Sequence, residues 1–327
     1  MSARKLLLFA LPLTFLVVVV GSFVRLSDAG LGCPDWPGCY GQLIGVADSE
    51  TAAALHPDSP YDIKKAWIEV GHRYIAGLLG LLILAAAVAD WLARRRLTLT
   101  LLLPLLVLFQ ALLGMLTVTE KLKPLIVVSH LVGGMTILAF IAAAVTKRPL
   151  SVPLNRQAHR PLMRWWCLAM IVLALQIILG GWVSSNYAGL ACPDFPLCQG
   201  GVLPPQVDFS GFSLQRELHQ GADGKAVTAA ALATIHWVHR SMAIVVLIIF
   251  AFFIRTLWQQ GAKREARGLL GFTLLQIIIG IINVLFQLPL WAAVAHNAVA
   301  AILVVNIAVL GVKLRFQDKI IPQPTAG

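Results

Sequence analysis

The 327-residue chain is 58% hydrophobic and 13% charged, with a net charge of +11. Soluble domains carry about 25% charged residues, so the composition excludes an ordinary soluble fold, and a mean hydropathy of +0.81 makes lipid the natural solvent. The positive balance does not indicate a nucleic-acid partner, because no basic stripe with interleaved aromatic residues accompanies it.

A helix needs roughly 20 apolar residues to cross a hydrocarbon core about 30 Å thick. Eight such runs follow one another, near residues 6–24, 67–93, 97–118, 125–146, 163–184, 230–255, 268–287 and 291–312. The first follows Arg4 and Lys5 and is longer than the apolar region of a cleavable signal, typically about 7 to 15 residues. With no clear small-residue cleavage site before Arg25, it reads as a retained helix. The connections are short except for two polar loops, residues 25–66 and 185–229, so no separate soluble domain is expected.

The basic residues follow a membrane topology. Arg4 and Lys5, Arg94 to Arg96, Lys147 to Arg164, Arg255 to Arg267 and Lys313 to Lys319 fall on one side and hold 17 of the 26 Lys and Arg. Twelve of the 15 acids lie on the other side or at its helix ends. The positive-inside rule then puts both termini in the cytoplasm and both long loops outside.

Those two loops are near copies. Ala29-Gly-Leu-Gly-Cys-Pro-Asp-Trp-Pro-Gly-Cys39 and Ala188-Gly-Leu-Ala-Cys-Pro-Asp-Phe-Pro-Leu-Cys198 agree at eight of eleven positions. The match continues with His72-Arg73 and His239-Arg240, Gln110 and Gln276, Gly114 and Gly280, and His130 and His296, at offsets of 159 to 167 residues. An even number of helices per repeat makes both halves enter the membrane in the same direction. The expected architecture is therefore an all-α membrane protein of two tandem four-helix bundles, residues 1–150 and 151–327, related by a pseudo-twofold axis along the membrane normal.

Each matched histidine lies near the start of an even-numbered span, toward the outer face. Ionisable groups inside a bilayer mark functional sites, and neutral imidazoles on facing helices of a bundle are suitable axial ligands for haem iron. His72 with His130 forms one candidate pair and His239 with His296 the other. Arg73 and Arg240 follow their histidines at the interface, where a guanidinium either pairs with a haem propionate or extends to the headgroups. Three residues before the aligned histidine the halves differ, with Glu69 in the first and His236 in the second. Three residues apart is one helix face, so a carboxylate capable of moving protons or offsetting positive charge stands beside His72 only. The first site thus reads as the one that performs chemistry and the second as the holder of a permanent cofactor. His236 competes with His239 as a ligand, and the alignment favours His239.

Cys33 with Cys39 and Cys192 with Cys198 form two C-x5-C pairs on the side where disulfides persist. Bonds within each loop and bonds between the loops both remain open, as do a stapling and a redox role. The spacing argues against zinc. Cys167 is expected to be a packing residue, and His56, His159 and His219, read as loop residues, to be solvated. The stretch 200–229 gives no readable role.

Taken together, Glu69-Val-Gly-His72-Arg73, His130, His239-Arg240, His296 and the cysteine-bearing loops resemble the haem A synthase family across all eight spans. The resemblance implies oxidation of the methyl group at carbon 8 of haem O to a formyl group, giving haem A for cytochrome oxidase. It implies a resident haem B between His239 and His296, a substrate site between His72 and His130, and Glu69 as the acidic residue of that site. It further implies haem O synthase and the oxidase assembly machinery as partners, beside a membrane electron acceptor whose identity stays open; a homo-oligomer is compatible with it. Two complete cysteine pairs, and no transit-like leader, are similar to bacterial members, which implies the bacterial inner membrane with the cysteine loops periplasmic. The rival readings are a dihaem b-type cytochrome such as a quinol oxidoreductase, a repeat-built transporter and a thiol oxidoreductase.

Overall fold

The computed structural model describes residues 2–95, 98–154, 156–220, 224 and 226–320. The chain runs through α1 (Ala3–Leu26), a short loop helix α2 (Ser49–Leu55), α3 (Ile63–Arg94), a 3-10 turn (Leu99–Leu102) leading into α4 (Leu103–Thr119), and α5 (Pro124–Val145). It continues through α6 (Arg156–Ser185), α7 (Ala229–Gln259), α8 (Lys263–Leu285) and α9 (Leu290–Ile320). Eight of these helices are long and apolar enough to cross a membrane, and the chain is an all-α, multi-pass membrane protein. Arg96, residues 221–223 and 225 of the second outer loop, residues 321–327 and the side chain of Lys319 lie outside the described residues.

The helices extend beyond the apolar runs because polar caps add turns outside the hydrocarbon. The Asp62 carboxylate accepts the N–H groups of Lys64 and Lys65 at the start of α3, and the Thr228 hydroxyl accepts the Ala231 N–H at the start of α7. One sequence expectation fails for the same reason. Because α6 begins at Arg156, His159 is a helix residue, buried, with its Nε2 at 3.1 Å from the Leu314 carbonyl. It is neither a loop residue nor solvated.

The four long helices of each half close a ring. In the first half α1 touches α3 and α5, and α4 touches the same two; in the second, α6 touches α7 and α9, and α8 touches those two. Between the halves α1 and α5 pack on α9, and α5 packs on α6. Met135, Leu138 and Ala301 are buried in that seam, flanked by Phe15, Val18 and Ile177. At the end opposite the cysteine loops each half has a solid apolar core, built on Leu7, Ile83, Leu103 and Ile141 in one and on Leu162, Phe250, Phe253, Leu269 and Leu314 in the other. Large side chains such as Leu81, Leu108, Ile244 and Ile278 point outward. A bilayer accepts that surface, and the helices meanwhile satisfy their own backbone groups.

Two features of the backbone repeat. Lys121 and Leu122, between α4 and α5, have left-handed φ values of 49° and 59°; Gln287 and Leu288, between α8 and α9, have 56° and 58°. Left-handed backbone costs an L-residue about 1–2 kcal/mol, so both halves keep the same costly corner. Each corner leucine then slides under a loop glycine. A Cβ on Gly30 would lie 3.3 Å from Leu122, and one on Gly189 only 2.6 Å from Leu288.

Among the described residues, the connection between the halves is fastened to the second half. Ser151 donates its hydroxyl and N–H to Glu265, whose carboxylate also takes the Lys313 ammonium at 2.8 Å, and the Gln317 amide donates to the Val152 carbonyl at 2.8 Å. Leu150 and Leu154 enter the second-half core.

Close packing of α6 on α9 depends on Gly311. The buried Trp166 indole donates to the Ile307 carbonyl at 2.8 Å and lies directly on Gly311, where any Cβ would overlap it. Gly311→Ala is therefore expected to destabilise the protein by about 1–3 kcal/mol through overpacking. Thermal unfolding in detergent measures this; an unchanged midpoint would mean that the indole has room to move aside.

Candidate functional site

The outer loops are built alike down to single hydrogen bonds. Each disulfide closes within its own loop, Cys33 to Cys39 and Cys192 to Cys198, with Cα atoms 4.9 and 4.6 Å apart, which settles the connectivity that spacing left open. Asp35 accepts the N–H groups of Tyr40 and Gly41, and Asp194 accepts those of Gln199 and Gly200. These donors, Gly200 first, hold the Asp194 carboxyl below the ordinary aspartate range. The Tyr40 and Gln199 positions are left-handed, and the Trp36-Pro37 and Phe195-Pro196 bonds are both cis.

The helix that carries each first histidine is riveted to its loop by the arginine that follows. Arg73 donates to the carbonyls of Asp35, Pro37 and Gly38. Arg240 donates to those of Cys192, Asp194, Pro196 and Leu197. Neither guanidinium extends freely to the headgroups. Among the described residues only the Nε of each is left without a protein acceptor.

Glu69 and His236 occupy equivalent places in this clamp. Glu69, 5% exposed, accepts the Cys33 N–H at 2.9 Å and the Arg73 guanidinium at 2.6 Å. His236, also 5% exposed, accepts the Cys192 N–H at its Nδ1 at 3.2 Å. His236 Nδ1 is thus engaged by the loop backbone.

The four matched histidines are partly buried, and each ring lies directly on a glycine of a neighbouring helix. A Cβ at Gly21 would come within 2.9 Å of His72, at Gly114 within 3.2 Å of His130, at Gly180 within 3.0 Å of His239 and at Gly280 within 3.1 Å of His296. His72 and His130 stand on α3 and α5 of the first half, and His239 and His296 on α7 and α9 of the second.

Side-chain amides attend three of the four rings. Gln110 reaches His130 Nδ1 at 3.1 Å, Gln276 reaches His296 Nε2 at 3.1 Å and Gln176 reaches His239 Nδ1 at 3.2 Å. Among the described residues no side-chain amide meets His72, and the residue 159 positions before Gln176 is Val17. His296 Nδ1 and the Oε1 atoms of Gln110, Gln176 and Gln276 are shielded and have no protein partner. Unpartnered polar atoms of this kind call for an explanation such as a bound group.

These donor sets suit haem. Each pair offers two imidazole nitrogen donors, each ring set on a glycine of a neighbouring helix. Among the described residues no group of three or more His, Cys, Asp and Glu side chains could hold a bare metal ion.

Gly21, Gly180 and Gln176 were not singled out from the sequence. The glycine pair carries a repeat signal, since Gly21-Ser-Phe-Val24 aligns with Gly180-Gly-Trp-Val183 at the offset of the loops. Gln176 has none, because its counterpart is a valine. The remaining histidines stand apart from both pairs. His56 meets Tyr40 edge-on at 5.8 Å and His219 stacks on Tyr187 at 5.4 Å, next to Arg25, which donates from the first half to the Ser184 carbonyl of the second at 2.7 Å. Cys167 packs against the second-half core.

The model of the COX15-CtaA family, described as cytochrome oxidase assembly protein, matches residues 4–308. A protein named heme A synthase from Shewanella oneidensis is 39% identical over 324 residues, covering 95% of this chain and 96% of that one. Proteins of the same name from Beijerinckia indica, 30% identical over 91% of this chain and 88% of theirs, and from Flavobacterium psychrophilum, 29% identical over 89% and 91%, are similar along almost the whole length. The chain, with its paired histidines and twin cysteine loops, belongs to the COX15-CtaA family of cytochrome oxidase assembly proteins.

Proposed function

We propose that this chain is a haem A synthase, which oxidises the methyl group at carbon 8 of haem O to a formyl group. The observation that carries the reading is the set of four histidines in two pairs, each ring on a glycine, within a chain that is 39% identical over nearly its full length to a protein of that name. In this reading residues 1–150 form the substrate half and residues 151–327 the cofactor half, related by a pseudo-twofold axis. His72 and His130 hold the iron of haem O. His239 and His296 hold a resident haem B, which when bound supplies one-electron transfer.

Turning a methyl into a formyl group removes four electrons, adds one oxygen atom and releases protons, so the substrate half must handle charge as well as bind. Glu69 is the group for that work. It lies on the face of α3 that carries His72, three residues away. There a carboxylate offsets positive charge developing beside the porphyrin ring and accepts a proton. Its bonds to Cys33 N–H and Arg73 fix its position. Arg73 and Arg240 keep the loops closed over the two sites, excluding water, and the Nε of each is the donor available to a propionate. In the second half His236 replaces the carboxylate, in keeping with a site that holds its haem unchanged.

The reading places the protein in the bacterial inner membrane, with both termini cytoplasmic and the disulfide loops periplasmic. Haem O synthase supplies the substrate, cytochrome oxidase receives the product, and a membrane acceptor takes the electrons.

Haem extraction tests the function directly. Protein expressed with a source of haem O is expected to yield haem A together with haem B; recovery of haem B alone from active preparations would make the chain an electron-carrying cytochrome. Glu69→Ala is expected to retain haem B while conversion falls by roughly 10²- to 10⁴-fold or stops at an intermediate oxidation level, and loss of all haem from it would make Glu69 a structural residue. For His239→Ala and His296→Ala the expected result is loss of the haem B Soret band, and unchanged spectra in both would remove the assignment of those ligands.

A further inference from the structure

The two halves differ at the residue that meets the first histidine of each pair. In the second half, α6 presents Gln176 to His239, its amide nitrogen 3.2 Å from Nδ1, 3.4 Å from Nε2 and 3.2 Å from the His239 carbonyl. In the first half the aligned residue of α1 is Val17, whose side chain has no hydrogen-bonding group to offer His72. A helix carbonyl is already committed to its own helix, whereas a side-chain amide is free to serve the imidazole.

The chemistry of ligation makes this difference matter. An imidazole that binds iron through one nitrogen carries its proton on the other, and an acceptor for that proton fixes the ring's orientation and raises its basicity. The Gln176 amide carries such an acceptor: its Oε1 is shielded and has no protein partner, and a half-turn of the amide exchanges Nε2 for Oε1 beside His239. With Gln276 at His296, both ligands of the second half have an amide, whereas in the first half Gln110 serves His130 and none serves His72.

We propose that Gln176 is a positioning residue that locks His239 onto the resident haem and makes the second half retentive, while the first half, with Val17 at the same place, holds its haem through one fixed and one exchangeable ligand. The inference rests on the reading of His239 and His296 as haem ligands. It assigns the division of labour between the halves to a single side chain. A synthase requires that division, since one haem must stay and the other must leave.

The test is transfer of haem B from the purified full-length protein to an excess of apomyoglobin, followed by Soret absorbance. Gln176→Met keeps the length of the side chain and removes the hydrogen bonds; haem loss is expected to accelerate by roughly tenfold to a hundredfold. The low-spin electron paramagnetic resonance signal and the midpoint potential of the resident haem are expected to shift with it. Gln176→Asn, which keeps an amide one methylene shorter, is expected to fall between wild type and Gln176→Met in all three measurements. Wild-type loss rates in Gln176→Met would overturn the proposal. So would faster loss in both variants with an unchanged resonance signal and potential, because that pattern describes packing alone. Absence of haem B from the wild-type protein would instead overturn the ligand assignment on which the proposal stands.

Discussion

The contact on which the rest of the structure depends is the edge of an imidazole ring set against a helix backbone, made possible at four places by a glycine. A single methyl group at Gly21, Gly114, Gly180 or Gly280 would stand 2.9 to 3.2 Å from the ring, closer than ordinary van der Waals contact allows. Lipid gives no hydrophobic reward for bringing helices together, so close approach at small residues and bonds between polar side chains do much of that work. The four crossings supply both. The loops, the corner leucines and the arginine rivets then close over crossings whose spacing the glycines have set.

The duplication supplies two scaffolds, and the differences between them carry the function. What repeats is architectural: the disulfide, the aspartate that gathers two backbone N–H groups, the arginine that collects loop carbonyls, and the left-handed corner. What differs sits at the rings or at the clamp, namely Glu69 against His236 and Val17 against Gln176. Glu69 and His236 both accept the N–H of the first loop cysteine. The exchange of one for the other therefore leaves the loop closed and changes the charge beside the site.

Much of this was legible in the sequence because a bilayer restricts the possible architectures so strongly. Apolar runs of spanning length gave eight helices, and the twin cysteine motifs gave two loops of like build. The misreadings had local causes. His159 was read as a loop residue because hydropathy registers the hydrocarbon and not the amphipathic turns beyond it, where α6 begins. The hold of Arg73 and Arg240 on loop carbonyls was invisible, since backbone acceptors leave no trace in residue identity. Gln176 escaped notice because comparison between halves rewards likeness, and its importance lies in the difference. The corner residues Lys121 and Gln287 share a conformation but not a side chain, so only the backbone revealed them.

The fastening of residues 150–154 has a mechanical consequence. Those residues are held by Glu265, Gln317 and the second-half core, so the covalent bridge between the halves travels as a part of the second. It cannot act as a spring or a lever on the first. Any displacement of one half against the other must be transmitted sideways, by sliding of α1 and α5 over α6 and α9, and at the outer end through the reach of Arg25 to Ser184. The two halves are therefore joined by a shear plane of tightly packed side chains and not by a hinge, a geometry that favours a fixed distance between them.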